Sequence, residues 1–261
     1  MRIAIVTQDA PMYLPRFLDE LVGGLRARSH EVVCVVLLPP YASGSLAEET
    51  RKRFALYGAA AFVEMSARIL YHRLLAVFHE AMPGIGCHSV RNVLSKHDLE
   101  RFATSDVNSP EFIRYVKDRT IDLVLSIACP QLFKPELLAA PAKGCLNYHT
   151  GLLPRYRGRQ PLFWALLNGE REAGITVHEI NEALDDGAIL AQRSVPISDD
   201  DSLHSLYLKT TREGPALVIE AVEKIARGDG ARIPNDRARA TSHGFPGRDD
   251  GIAFRRRHRF F

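Results

Sequence analysis

Residues 3–38 read IAIVTQDAPMYLPRFLDELVGGLRARSHEVVCVVLL. Two short apolar runs, 3–6 and 31–38, bracket an amphipathic segment. Short runs rich in Val and Ile read as strands buried on both faces of a parallel sheet. Between them Leu14, Phe17, Leu18, Leu21 and Leu25 recur at helical spacing across 13–28, and Pro15 is tolerated in a first turn. A strand, a helix and a second strand in this order predict a parallel α/β unit.

The pattern extends in the C-terminal direction. Residues 43–57 and 66–80 read as helices, with 60–65 (AAFVEM) a weaker strand candidate between them and 83–95 irregular. Ser109 and Pro110 open a helix carrying Phe112, Ile113 and Val116. Strands are predicted at 123–128, 144–150, 174–180 and 188–197, helices at 135–140, 161–169 and 202–227. The β-rich stretch 174–197 is expected to add antiparallel or mixed strands. Pro39 and Pro40 stop the second strand, and Gly228 stops the last helix. From 229 the pattern dissolves. No internal repeat is visible, so residues 1–228 read as one domain and 229–261 as a C-terminal extension.

The chain has 261 residues, 46% hydrophobic and 25% charged. These are globular values and exclude a disordered chain. The net charge of +3 resides in 248–261, which hold five Arg against two Asp; the other 247 residues carry 29 basic and 29 acidic groups. A neutral body with a short basic tail argues against nucleic-acid binding. Cys34, Cys87, Cys129 and Cys145 form no CxxC pair, so no zinc site or disulfide framework is expected, and reduced cytoplasmic thiols are the simpler reading. Arg2 is followed by only four apolar or small residues before Thr7, so no secretory leader is expected. No apolar run approaches the length of a membrane span.

The turn after the first strand, TQDAPMYLP (7–15), holds no glycine, and no GxxxxGK[ST] loop occurs. A dinucleotide or ATP at that turn is therefore disfavoured. The chemistry concentrates between Asn147 and Leu190. Asn147 and His149 lie two apart near a strand end and share a face. The loop LLPRYRG (152–158) follows, and DDGAIL (185–190) comes later. A carboxamide, an imidazole and a carboxylate suit acyl transfer: the first stabilises an oxyanion, the second moves a proton, and the third orients the imidazole. Read alone, the same residues are also compatible with satisfied polar groups at strand ends.

Taken together, NYH (147–149), LLPRYRG (152–158), GITVH (174–178) and LDDGAILAQ (184–192) closely resemble the formyltransferases that use 10-formyltetrahydrofolate. The resemblance covers residues 100–228 well and the N-terminal third by element order. It implies a Rossmann-like, mostly parallel sheet flanked by helices. It also implies that Asn147 hydrogen-bonds the formyl oxygen, that His149 is the catalytic histidine, and that Asp185 rather than Asp186 pairs with it. The Cys129–Phe133 segment matches one whose backbone cradles the pterin, with Gln131, Leu132 and Phe133 as contacts. The co-substrate implied is 10-formyltetrahydrofolate, with no metal.

Departures from the family pattern bear on the loop after His149 and on the acceptor. The chain has His149-Thr150-Gly151 where many members have His-Pro-Ser. It also lacks the glycine-rich phosphate loop of the glycinamide ribonucleotide enzymes. The residues after Gly228 are too few for the second domain of the tRNA enzymes. The expectation is a small-molecule amine, with a nucleotide-linked amino sugar as the best fit and a homodimer as an open possibility. A methionyl-tRNA enzyme lacking its tRNA domain and a formyl-folate hydrolase are the alternatives, and a folate-binding protein without turnover is a reading from outside enzymology.

Arg155, Tyr156 and Arg157 are candidate contacts for an anionic acceptor, against a solvated basic loop. Phe163 and Trp164 read as helix-face packing, His178 as either site-lining or structural, and Cys145 as a packed thiol. His72 and His79 lack further ligands for a metal. Asp199–Asp201 read as loop and helix cap. Phe254, Phe260 and Phe261 suit docking on the body, a dimer contact or an acceptor pocket, with a frayed terminus as the alternative.

Overall fold

A computed structural model describes residues 1–39, 45–79 and 86–261. Seven strands form one sheet: β1 (Arg2–Gln8), β2 (Glu31–Leu38), β3 (Glu100–Phe102), β4 (Leu123–Ile127), β5 (Cys145–His149), β7 (Glu172–Glu179) and β8 (Ile189–Pro196). Their order is β3-β2-β1-β4-β5-β7-β8. The first five run parallel, while β5–β7 and β7–β8 are antiparallel. The Rossmann-like reading and the mixed late strands both hold.

Helices cover the two faces. On one side α1 (Leu14–Arg26) and α7 (Leu203–Ala226) pack Phe17, Leu21, Leu25, Leu217 and Val222 onto Ile3, Ile5 and Leu125. Gly214 makes the approach possible: a Cβ there would lie 2.3 Å from the Phe17 ring and 2.6 Å from the Tyr148 hydroxyl. On the other side α4 (Pro110–Asp118) and α5 (Pro135–Leu138) cover Ala4, Val6 and Val124 with Phe112, Val116 and Leu137. Ser109 caps α4 by accepting from the Phe112 amide, as its position before Pro110 predicts.

Three expectations need correction. Residues 60–65 are helical: they lie inside α2 (Leu46–Phe78), which joins both expected helices across a kink at Gly58, φ 72° and ψ 171°. Only Gly adopts that backbone cheaply, and Arg255 occupies the space a side chain would need there. Second, 90–95 is not irregular. It belongs to α3 (Val90–Lys96), opened by a capping box between Ser89 and Asn92. Residues 43–44, 80 and 83–85 of these expected segments, and Pro40, lie outside the described residues. Third, the C-terminal segment is ordered. It contains β9 (Ser242–His243), which pairs parallel with β6 (Arg157–Gly158), and α8 (Arg248–Arg255). Phe254 and Phe260 are buried with Phe163 and Leu162 of α6 (Pro161–Leu167) and Leu206 of α7. Phe163 and Phe254 stack at 4.6 Å between ring centroids. Of the readings offered for the tail, docking on the body is the one observed. Among the described residues no helix is long and apolar enough to cross a membrane.

Candidate active site

β4, β5 and β7 set three polar side chains in one row. Their register places Ser126, Asn147 and His178 side by side across the strands. The Ser126 hydroxyl donates to Asn147 Oδ1 at 2.8 Å, which turns Asn147 Nδ2 the other way. His178 Nδ1 lies 2.7 Å from the Glu179 carbonyl, which only accepts, so Nδ1 carries a proton; Nε2 lies 3.2 Å from Asn147 Nδ2. Tyr148, between Asn147 and His149, faces the opposite way and packs on Phe17.

His149 ends β5 and is buried. Its Nε2 donates to the Tyr156 carbonyl at 2.8 Å. Nδ1 is therefore the ring atom left to take a proton, and it faces Asp185 Oδ2 at 3.6 Å. Burial pushes the imidazole below its ordinary value; the Asp185 charge opposes that shift without reversing it, and His178 adds to it.

Asp185 lies in the β7–β8 connection with φ 48°. Its Oδ2 accepts from the Gly158 amide at 2.8 Å. Its Oδ1 lies 3.4 Å from Asn147 Nδ2 and 3.5 Å from His178 Nε2. Burial raises the carboxyl, but His178, His149 and the Gly158 amide overcome it and hold the group at about 2. Asp185 is thus a fixed anion. Asp186 points elsewhere: its carboxylate is buried against Arg157 at 2.6 Å and Arg237 at 2.5 Å. Those two guanidinium groups, Arg237 foremost, hold it at about 2.

The structure thus gathers Asn147, His149 and Asp185 in one place. Other candidate residues have partners within the protein. Arg157 is ion-paired with Asp186. Arg155 and the Tyr156 hydroxyl both bond Glu170, each at 2.7 Å. Gln131 ties down the neighbouring loop, accepting from the Val107 amide and donating to the Ser105 carbonyl. Phe133 is in the core below α4, and the Leu132 side chain is exposed. Burial pushes the Cys145 thiol up to about 12, so it stays protonated.

The segment beyond α7 contributes what sequence reasoning missed. Asn235 Nδ2 donates to the carbonyls of Asp185 and Gly187, 2.9 Å each, and its Oδ1 accepts from Arg157. Thr241 accepts from the Tyr156 amide through its hydroxyl and from the Arg157 amide through its carbonyl. The two backbones that hold His149 Nε2 and Asp185 Oδ2 are therefore braced from the tail. Gly187 must be glycine, since a Cβ would lie 1.8 Å from the Glu179 carbonyl oxygen.

A family model described as formyl transferase matches residues 1–222. The chain belongs to the formyl transferase family. It is 36% identical over 152 residues, 58% of this chain and 49% of the relative, to a methionyl-tRNA formyltransferase of Kosmotoga olearia. The chain spans about half the length of the curated relatives it matches. Among solved structures it is similar to glycinamide ribonucleotide transformylase 1 from Symbiobacterium toebii (TM-score 0.61, 18% identity, 87% of this chain and 88% of that one). It is also similar to WlaRD, a sugar 3N-formyl transferase determined in the presence of dTDP and 5-N-formyl-THF (TM-score 0.59, 15% identity, 94% and 69%). At these identities the likeness to solved structures is one of fold. The family match reaches further toward the N-terminus than the motifs of 147–192 do.

Proposed function

We propose that this formyl transferase family member moves a formyl group from 10-formyltetrahydrofolate to a primary amine, with residues 1–228 as the catalytic unit. The reading rests on the convergence of Asn147, His149 and Asp185. These groups fit a formyl donor chemically: Asn147 Nδ2 is an amide donor on a partly exposed residue, 3.2 Å from His178 Nε2 and 3.4 Å from Asp185 Oδ1, beside an imidazole with an open Nδ1. The amine attacks the formyl carbon and the former formyl oxygen becomes anionic. Asn147 Nδ2 donates to that oxygen, a contact worth roughly 2.7–4 kcal/mol in comparable sites. His149 Nδ1 takes the proton leaving the amine and holds it against Asp185, then returns it to the folate nitrogen as the carbon–nitrogen bond breaks. The exposed Leu132 is the proposed pterin contact, together with Gln131 and Phe133.

A nucleotide-linked amino sugar is the proposed acceptor, supported by the ligands named for WlaRD. The 36% identity to a methionyl-tRNA formyltransferase favours a second reading, with aminoacyl-tRNA as acceptor. The test is incubation with 10-formyltetrahydrofolate and both acceptor classes, read as gain of one formyl group by mass. Formylation of an amine by wild type but not by His149→Ala supports the proposal. Formate release without any acceptor supports a hydrolase instead, and folate binding without turnover a non-catalytic role; either outcome overturns it.

A further inference from the structure

The outer face of α2 carries an apolar stripe that, among the described residues, nothing covers. Ala60, Val63, Ala67, Leu70, Leu74 and Val77 are all exposed, and they follow one another at intervals of 3, 4, 3, 4 and 3 residues. Val63, Leu70, Leu74 and Val77 are each more than half exposed, as are Tyr71 and Phe78 on one flank. The opposite side of the same helical piece is occupied: Met65 is buried, and the Ala76 carbonyl accepts from Asn92 next to α3.

An average spacing of 3.5 residues is that of a seam between two helices, each supplying the same repeat. A helix alone gains nothing from it, since a surface stripe of this kind leaves large side chains in water. We propose that the occupant is a second copy of this chain, packed antiparallel along α2.

Three features of the stripe favour that occupant. The stripe matches itself in reverse. With the two-fold axis between Ala67 and Leu70, Ala67 meets the partner's Leu70, Val63 meets the partner's Leu74, and Ala60 meets the partner's Val77. Every layer sets a small side chain against a larger one, which fills volume evenly. The stripe also starts beyond the Gly58 kink, so the segment that pairs is one straight piece. Finally, the area suffices. Aliphatic side chains offer on the order of 60–120 Å² and aromatic ones 150–250 Å². At the observed exposures this gives roughly 500 Å² of apolar surface per copy and roughly 1,000 Å² per pair, the lower bound for a specific interface. The proposal is independent of the catalytic reading.

Sedimentation velocity on the full chain at micromolar concentration tests it. The expected result is a dimer, converted to monomer by Leu70→Glu/Leu74→Glu with an unchanged circular dichroism spectrum. A second pair of variants covers the case in which the double charge prevents folding. Val63→Cys/Leu74→Cys should yield a covalent dimer under mild oxidation, while neither single variant does. A monomeric wild type would mean that another molecule covers this face, and overturns the proposal. So does a dimer that survives the glutamates, or cross-linking by a single-cysteine variant, which would require parallel helices.

Discussion

Burial at the end of β5 pushes His149 toward its neutral form, while the Asp185 carboxylate pulls the other way. With Nε2 held by the Tyr156 carbonyl, proton uptake is confined to Nδ1. His149→Ala should therefore lower kcat by about 10²–10⁴-fold, and Asn147→Ala by about 10²–10³-fold, both read by formyl transfer. Activity should fall on the acid side as Nδ1 becomes protonated, at a pH below the unperturbed 6.5. Asp185→Asn removes the charge that supports protonated His149, so its residual activity should persist to lower pH, measured as kcat/KM against pH. Asp185→Asn should also reduce kcat far more than Asp186→Asn, whose carboxylate is neutralised by Arg157 and Arg237. The reverse order would assign the proton relay to the wrong aspartate. Stability follows a separate sign. Asp185 titrates near 2 when folded, against an ordinary 3.8, so its contribution is complete above pH 3.8 and is lost as pH falls toward 2. Urea unfolding of Asp185→Asn between pH 4 and 2 should show a flatter pH dependence than wild type.

Strands and loops were unevenly legible at the scale of elements. Fully buried strands such as β1, β2 and β4 announce themselves as apolar runs, because both faces of a parallel sheet are covered. Residues 60–65 mislead because AAFVEM supplies an apolar run without the polar punctuation that separates helix from strand. Half of its residues are exposed on the α2 surface, a fact visible only in three dimensions. The α3 capping box was readable in principle from Ser89 and Asn92. The motif residues Asn147, His149 and Asp185 were legible because chemistry restricts their types and the sheet fixes their spacing. Asn235 was not, because an amide donating to two distant carbonyls leaves no local pattern. Its removal tests the brace. Asn235→Ala leaves two part-buried carbonyls short of a donor, which costs about 1–3 kcal/mol. It should lower kcat more than it raises KM, and Asn235→Asp, which cannot donate to those carbonyls, should not restore it.

For the molecule as a whole, the sheet carries its site at the ends of interior strands, beside loops that the last thirty residues help to brace. Phe254 is fully buried between Phe163 and Phe260. Phe254→Ala should cost about 3–5 kcal/mol, measured by urea unfolding, and should detach α8 from the Gly58 kink it supports through Arg255. The order of the segment after Gly228 was not legible in the sequence for an identifiable reason. The tail contributes isolated aromatic anchors and two-residue strands, and such contacts carry no periodicity for a sequence to display.

The brace from Asn235 and Thr241 joins positions that lie 50 and 85 residues from their counterparts at Asp185 and Tyr156. Contacts so distant along the chain form after local ones, because closing a longer loop costs more entropy. A refolding enzyme should then recover its helical signal before its turnover, and the delay between the two would time the arrival of the C-terminal strap.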